Sequence, residues 1–350
     1  MNQRNQISSE KPKNIISKIF VTSPRMKPLL NSVQFTNDAK SICTALPNGF
    51  AVLTLNPIRK RIHRFYDNQQ FGNAVTIPDS NIIVFTGVSG QPELSDTSIC
   101  VFDESIARVV LEIKCRESIR NIVMLPQMFA FSSKSEVRLY TFEPPVLYCQ
   151  FRTSINDFAP LDFVESQKSF IVAFSGRQPG TLRIIHGNSR EKQDISIYAH
   201  KSPLAFIKLN ANGTLVATAS SLGTIIKVYN TKNGELIGQF RRGSLAAEIR
   251  SISFSPESEL LAVSSSKGTI HVFSLSTTPL NPSLVANPLR ADMKISKLDL
   301  GSAVLCFESR ERLIAVSSQC ILTNFIVSEI DKTIREDKSY SFANLIAIQE

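Results

Sequence analysis

No apolar run in these 350 residues approaches the roughly 18 that a transmembrane helix needs, so the chain reads as soluble and any membrane contact as peripheral. The opening stretch, Met1 to Lys13, is polar and lacks the hydrophobic core of a signal peptide. Histidine is scarce: His63, His186, His200 and His271 are too dispersed to form an obvious metal cluster. Cys43, Cys100, Cys115, Cys149, Cys306 and Cys320 fall at no metal-ligand spacing, and most sit in apolar runs such as Ser98-Ile99-Cys100-Val101-Phe102. Reduced, buried thiols in a cytosolic protein are expected. The sequence also lacks Gly-x-Ser-x-Gly, His-Glu-x-x-His, Gly-x-x-x-x-Gly-Lys-Ser/Thr and Gly-x-Gly-x-x-Gly. No catalysis, cofactor or metal is therefore expected.

What is present suits a folded, mildly basic chain. Hydrophobic residues make up 43% and charged residues 20%, enough to bury a core and too little charge for general disorder. The 39 Lys and Arg against 30 Asp and Glu give +9, which suits an anionic partner, phospholipid or nucleic acid. No aromatics are interleaved with the cations as stacking platforms, and that argues against nucleic acid. Residues 1–29 are rich in Asn, Ser, Lys and Pro and read as a flexible arm. Beyond them come short β-branched and aromatic runs bounded by turn residues, among them Gly49–Leu55, Ile82–Thr86, Ile99–Phe102, Phe129–Ser132, Val137–Phe142, Phe170–Phe174 and Leu182–Ile185. Few stretches keep a helical period, so the fold class is all-β.

Internal repetition narrows this further. Leu215, Ala217, Ser220, Gly223, Thr224 and Ile225 recur as Leu260, Ala262, Ser265, Gly268, Thr269 and Ile270, 45 residues later. That is the length of one propeller blade, and fainter copies lie at Phe35–Leu55 and Phe163–Ile185. Dividing roughly 320 repeat-bearing residues by about 45 predicts a seven-bladed β-propeller over residues 30–347. Two packed β-sandwiches are the alternative, but they leave the echo unexplained. Tryptophan is absent, and with it the Trp-Asp dipeptide of ordinary WD repeats, so the blades are degenerate.

Between the two matching blades lies Gln239-Phe240-Arg241-Arg242-Gly243-Ser244, eight residues downstream of the first residue of the turn Asn233-Gly234 counted to Arg241. Glu235 to Arg242 should form the outer strand of the fifth blade. Alternation then sends the two arginines to opposite faces, one toward the fifth blade and one toward the sixth. Phe240 can pack against the blade, and Gly243 should permit a sharp exit turn. Arginine suits phosphate because its planar fork donates in pairs. The repeat adds hydroxyls twice, Thr218, Ser220 and Thr224 and then Ser264, Ser265 and Thr269, each group near a glycine (Gly223, Gly268), with His200 and His271 as ring donors. A solvated surface and routine turn capping are the bland readings of these features taken singly; their joint occurrence on both sides of one arginine pair favours a phosphate cradle.

Phe240-Arg241-Arg242-Gly243 resembles the Phe/Leu-Arg-Arg-Gly signature of the PROPPINs, the WIPI-type propellers of autophagy. Tyr198-Ala199-His200, the stretch from Ala217 to Tyr229 and that from Ser264 to Phe273 are similar as well. Similarity is good over residues 198–275 and weaker over residues 31–347. The resemblance implies binding of phosphatidylinositol 3-phosphate and phosphatidylinositol 3,5-bisphosphate at two rim sites. By matching position, the first uses His200, Thr218, Ser220, Gly223, Thr224, Lys227 and Arg241, and the second Arg242, Gly243, Ser265, Thr269 and His271. Arginine is usual in the family where this chain has Lys227, which keeps the charge but not the bidentate geometry.

The resemblance further implies a sixth-blade loop, residues 276–297, that enters the bilayer through Leu280, Leu284, Val285, Leu289 and Met293, with Arg290, Lys294 and Lys297 nearby. The implied partners are membranes carrying those two lipids and autophagy proteins of lipid transfer or ubiquitin-like conjugation. No nucleic acid is expected, and the chain is expected to be a monomer in solution. It should be cytoplasmic and peripheral on preautophagosomal, endosomal or vacuolar/lysosomal membranes. The competing reading is a protein-only scaffold in membrane trafficking with weak or vestigial lipid sites.

Overall fold

The strand-like runs of the sequence become strands with little change of boundary. Gly49–Leu55 is reproduced as read, Ile82–Thr86 lies within Ile82–Gly87, and Phe170–Phe174 within Ser169–Ser175. The computed structural model describes residues 30–91, 93–166, 169–187, 192–276, 288–297, 300–301 and 303–347. The arm read over residues 1–29 lies outside them.

The strands pair into seven sheets, each built on four antiparallel strands, at residues 32–65, 71–114, 119–152, 161–198, 204–241, 249–296 and 304–341; in the sixth, one short strand that belongs to the fifth lies between the third and fourth. These are the seven blades, and among the described residues no blade borrows a strand to close the ring. Closure rests instead on packing. One hydrophobic cluster joins each neighbouring pair of blades, and the one between the seventh and the first also takes in Leu30, Phe342 and Ile346. The Leu30 N–H donates to the Ser318 carbonyl at 3.1 Å, and the short helix Ala343–Ile346 sits against the same seam. The repeat explains why the seams agree. In the second strands of the fifth and sixth blades, Leu215–Ser220 and Leu260–Ser265, alternate residues face opposite neighbours, as a period of two demands.

The fifth blade carries one addition. Leu289–Arg290 pairs in parallel with its outer strand Leu236–Arg241, Phe240 opposite Leu289 and Arg241 opposite Arg290. The chain then crosses to the sixth blade, where Met293–Ser296 forms the outer strand and Met293 pairs with Val272. This corrects the reading of the sixth-blade loop as running to residue 297. Met293 is 3% exposed in the core between the sixth and seventh blades, so it cannot face a membrane. Leu289 is half-buried against the cluster between the fifth and sixth blades. Lys297 is spent on an ion pair with Glu336. Leu280, Leu284 and Val285 lie outside the described residues. No helix among the described residues is long and apolar enough to cross a membrane.

Candidate functional site

Phe240 sets the geometry of the arginine pair. Its ring is 1% exposed in the cluster between the fifth and sixth blades and lies 5.2 Å from the Phe273 ring. Burying a phenylalanine this completely contributes about 2–3 kcal/mol, enough to fix which face of the strand is which. Alternation then turns Arg241 to the opposite face, toward the fourth blade, where it is exposed. Arg242, one residue on, turns back toward the sixth blade and is buried at 8% exposure. Each arginine therefore serves a different cleft, and the fifth blade separates them. This corrects the expectation from sequence that one arginine turns toward the fifth blade itself: that arginine, Arg241, lies on the face shared with the fourth.

The first cleft lies between the fourth and fifth blades. Thr218 and Ser220 share the face of Val216, which packs against the fourth blade. Thr218 pairs with Lys227 across the sheet, so both side chains reach the same cleft. His200 arrives from the fourth blade, its N–H and that of Ala199 both held by the Gly180 carbonyl at 3.0 Å. The His200 Nε2 lies 3.0 Å from Thr218 Oγ1, and Thr218 donates onward to the Lys227 carbonyl at 3.3 Å. Nε2 and Oγ1 share one hydrogen bond, and the ring tautomer sets which of them donates. Lys227 Nζ donates to the Ala199 carbonyl at 2.7 Å. Burial pushes His200 down to about 4, with Lys227 acting in the same direction, and burial also lowers Lys227.

The second cleft lies between the fifth and sixth blades. Ser265, Thr269 and His271 share the face of Val263 and Phe273, which pack toward the fifth blade. Ser265 Oγ and Thr269 Oγ1 are 2.9 Å apart across a tight turn whose Gly268 has φ +68°. His271 lies parallel to Phe273, ring centroids 6.3 Å apart. Its pKa falls to about 4, first through burial and then through Lys294 and Arg242. Arg242 Nε donates to the Gly223 carbonyl at 2.9 Å, and Nη2 donates to the Leu245 carbonyl.

The sequence reading and the structure differ at several residues. Gly223 and Thr224, expected at the first cleft, have carbonyls that hold Arg242 of the second. Gly223 accepts from its side chain, and Thr224 accepts its N–H at 2.9 Å. Gly223 must be glycine, since φ is +58° and a Cβ would stand 2.0 Å from the Ala247 carbonyl oxygen. Ser264 faces the other way and donates to the Ala303 carbonyl at 2.8 Å. Gly243 is not in the left-handed region and a Cβ there would meet nothing within 4 Å, so it does not serve as a turn-former. Its bareness leaves open space beside Arg242. Gly243→Ala is accordingly expected to leave the melting temperature unchanged while weakening anion binding severalfold, checked by thermal unfolding beside a binding titration; a fall in melting temperature would contradict it. Lys294, assigned to the loop by sequence, pairs with His271 in the sheet and joins the second cleft. No motif could have shown this, because its register is set across the long insertion.

Among the described residues, both clefts are electropositive without local compensation. The charged neighbours acting on His200 and His271 are all cations. Among the described residues no ion pair involves Lys227, Arg241, Arg242, Arg290 or Lys294. Hydroxyls, a neutral imidazole and a cation, converging where no carboxylate among the described residues answers them, form a site for an anion with several acceptor oxygens.

Known proteins place this arrangement in context. The PROPPIN family profile matches residues 160–288, which include every residue of the two clefts named above except Lys294. Autophagy-related protein 18 of Neosartorya fischeri is 30% identical over 294 residues, covering 78% of this chain and 67% of its own. The solved Hsv2 of Kluyveromyces lactis superposes with a TM-score of 0.75 at 17% identity, over 89% of this chain and 98% of that one. A complex of KlAtg21 with the coiled coil of AgAtg16 gives 0.74 at 17%, over 90% and 99%.

Proposed function

The chain belongs to the PROPPIN family of autophagy-related seven-bladed propellers, and from that membership we propose that it is a phosphoinositide effector. Phosphatidylinositol 3-phosphate and phosphatidylinositol 3,5-bisphosphate occupy the two clefts, and the protein docks edge-on at membranes that carry them. The observation that carries this reading is the duplicated cleft, a buried neutral histidine, hydroxyls and a cation repeated on either side of one blade. The first site comprises His200, Thr218, Ser220, Lys227 and Arg241. The second comprises Arg242, Gly243, Ser265, Thr269, His271 and Lys294. Gly223 and Thr224 support the arginine between them.

Two modest sites on one edge act together on a membrane holding many copies of the lipid, so avidity exceeds either affinity. Leu280, Leu284 and Val285 add shallow apolar contact from the sixth-blade loop. The remaining blades recruit a protein of the autophagy conjugation or lipid-transfer machinery; the coiled coil bound to KlAtg21 supports a partner of that kind. The working locations are preautophagosomal, endosomal and vacuolar or lysosomal membranes. The chain acts as a binding module, without catalysis.

One observation favours the scaffold alternative with weak lipid sites. Lys227 already spends its ammonium on the Ala199 carbonyl, and Arg242 spends two donors on backbone carbonyls. Those bonds must be shared or exchanged when a headgroup enters. Vesicle flotation decides between the readings. Wild-type protein should float with vesicles carrying phosphatidylinositol 3-phosphate, and the Arg241→Ala, Arg242→Ala double variant should not. Equal flotation of the two would remove the lipid reading and leave the scaffold.

A further inference from the structure

The parallel ladder between Leu289–Arg290 and the outer strand of the fifth blade contains only two residue pairs, and one of them is Arg241 opposite Arg290. Like charges directly opposite on neighbouring strands oppose the pairing. Residues opposite each other in a sheet project to the same face. Leu289 and Phe240 both pack into the cluster between the fifth and sixth blades, so Arg241 and Arg290 both project from the other face, beside the first cleft. Both are exposed. The acid nearest in sequence, Asp292, is engaged elsewhere, its Oδ2 accepting the Ser274 N–H at 2.7 Å. The segment is thus firmly tied to the sixth blade through Asp292 and the buried Met293, and weakly tied to the fifth through a ladder that carries two uncompensated guanidinium groups.

We propose that Arg290 is a phosphate ligand of the first cleft, and that a phosphomonoester bridging Arg241 and Arg290 clips the returning end of the sixth-blade loop onto the fifth blade. The dianion of such a group offers three acceptor oxygens, enough for two planar forks to donate in pairs. Charge repulsion across the ladder becomes charge-assisted bonding when the anion enters. Headgroup occupancy and loop position are then linked, and by reciprocity a seated loop raises headgroup affinity by the same factor. The inference rests on the reading of the clefts as headgroup sites and extends it to a residue outside the family signature.

The test uses the full chain and two readouts. Binding is measured to phosphatidylcholine vesicles carrying phosphatidylinositol 3-phosphate, phosphatidylinositol or phosphatidylserine. Hydrogen exchange across residues 288–296 is followed with soluble inositol 1,3-bisphosphate or with inorganic phosphate. Arg290→Gln should bind the phosphatidylinositol 3-phosphate vesicles about tenfold more weakly, with Arg290→Lys intermediate. Inositol 1,3-bisphosphate should slow exchange in the segment in wild type and not in Arg241→Gln. If Arg290→Gln binds as wild type while the Arg241→Ala, Arg242→Ala variant fails, the inference falls and the headgroup reading stands. If that double variant also binds normally, both fall. An equal loss on phosphatidylserine vesicles would reduce Arg290 to general attraction, and equal protection by inorganic phosphate would assign the clip to the free ion; either overturns the headgroup role.

Discussion

Arg242→Ala should abolish binding at the second cleft and destabilise the fold by about 1–3 kcal/mol, whereas Arg241→Ala should remove binding at the first with no measurable loss of stability. The two side chains are adjacent in sequence but differ in every physical respect. Arg241 is exposed and has no ion pair among the described residues, so its removal leaves nothing unsatisfied. Arg242 is 8% exposed and bonds the Gly223 and Leu245 carbonyls, fastening the tight turn of the fifth blade to the link into the sixth. Truncating it leaves the buried Gly223 carbonyl without its donor at a seam between blades, at the full desolvation cost of that group, while the Leu245 carbonyl, on an exposed residue, can turn to water. Arg242→Lys keeps the charge but not the fork and should fall between. Denaturant unfolding of the two single variants checks this; equal stability would show that Arg242 has no structural role.

Acidification should destabilise the protein between pH 6.5 and 5, by about 2 kcal/mol for each of His200 and His271 at the lower limit. Both rings have folded pKa values near 4 against 6.5 for the free side chain. Below 6.5 the unfolded chain takes up protons that the native clefts refuse, so stability falls with pH and the fall levels off near 4. His63, lowered by burial and by Lys60, adds in the same direction. Carboxylates titrate lower and leave this window to histidine. Phosphate in the clefts reverses part of the effect, because it screens the cations, Lys227 in one and Lys294 and Arg242 in the other, that help hold the rings neutral. Urea unfolding at pH 7 and pH 5 should show the loss in wild type, a shallower loss with inositol 1,3-bisphosphate, and little loss in the His200→Gln, His271→Gln variant. A wild-type curve flat across this range would contradict the burial of both rings.

The fold was legible because repetition and strand period are local signals. The echo from Leu215 to Leu260 marks equivalent strands of successive blades, and blade length then predicts how many close the ring. The repeat and the resemblance grouped Ser265, Thr269 and His271 in the sequence, and pairing of their two strands puts all three on one face. Sequence reading failed where register depends on the long sixth-blade insertion. Met293 looked like one more apolar loop residue until pairing with Val272 placed it in the core, and the same crossing carried Arg290 and Lys294 from the loop to the clefts. Gly223 shows a different limit. Its need for φ +58° is readable as a turn glycine, but which arginine its carbonyl would hold depends on how two blades pack. Gly243 misled in the opposite sense, since glycine there leaves room beside Arg242 and does not bend the chain.

The proposed function requires two independent phosphate clefts, one on either side of the fifth blade. Isothermal titration of the full chain with soluble inositol 1,3-bisphosphate tests it most directly. Two headgroups should bind per chain, and Arg241→Gln, which leaves the fold intact, should bind one. A wild-type stoichiometry of one, or a value unchanged by Arg241→Gln, would contradict the two-cleft account.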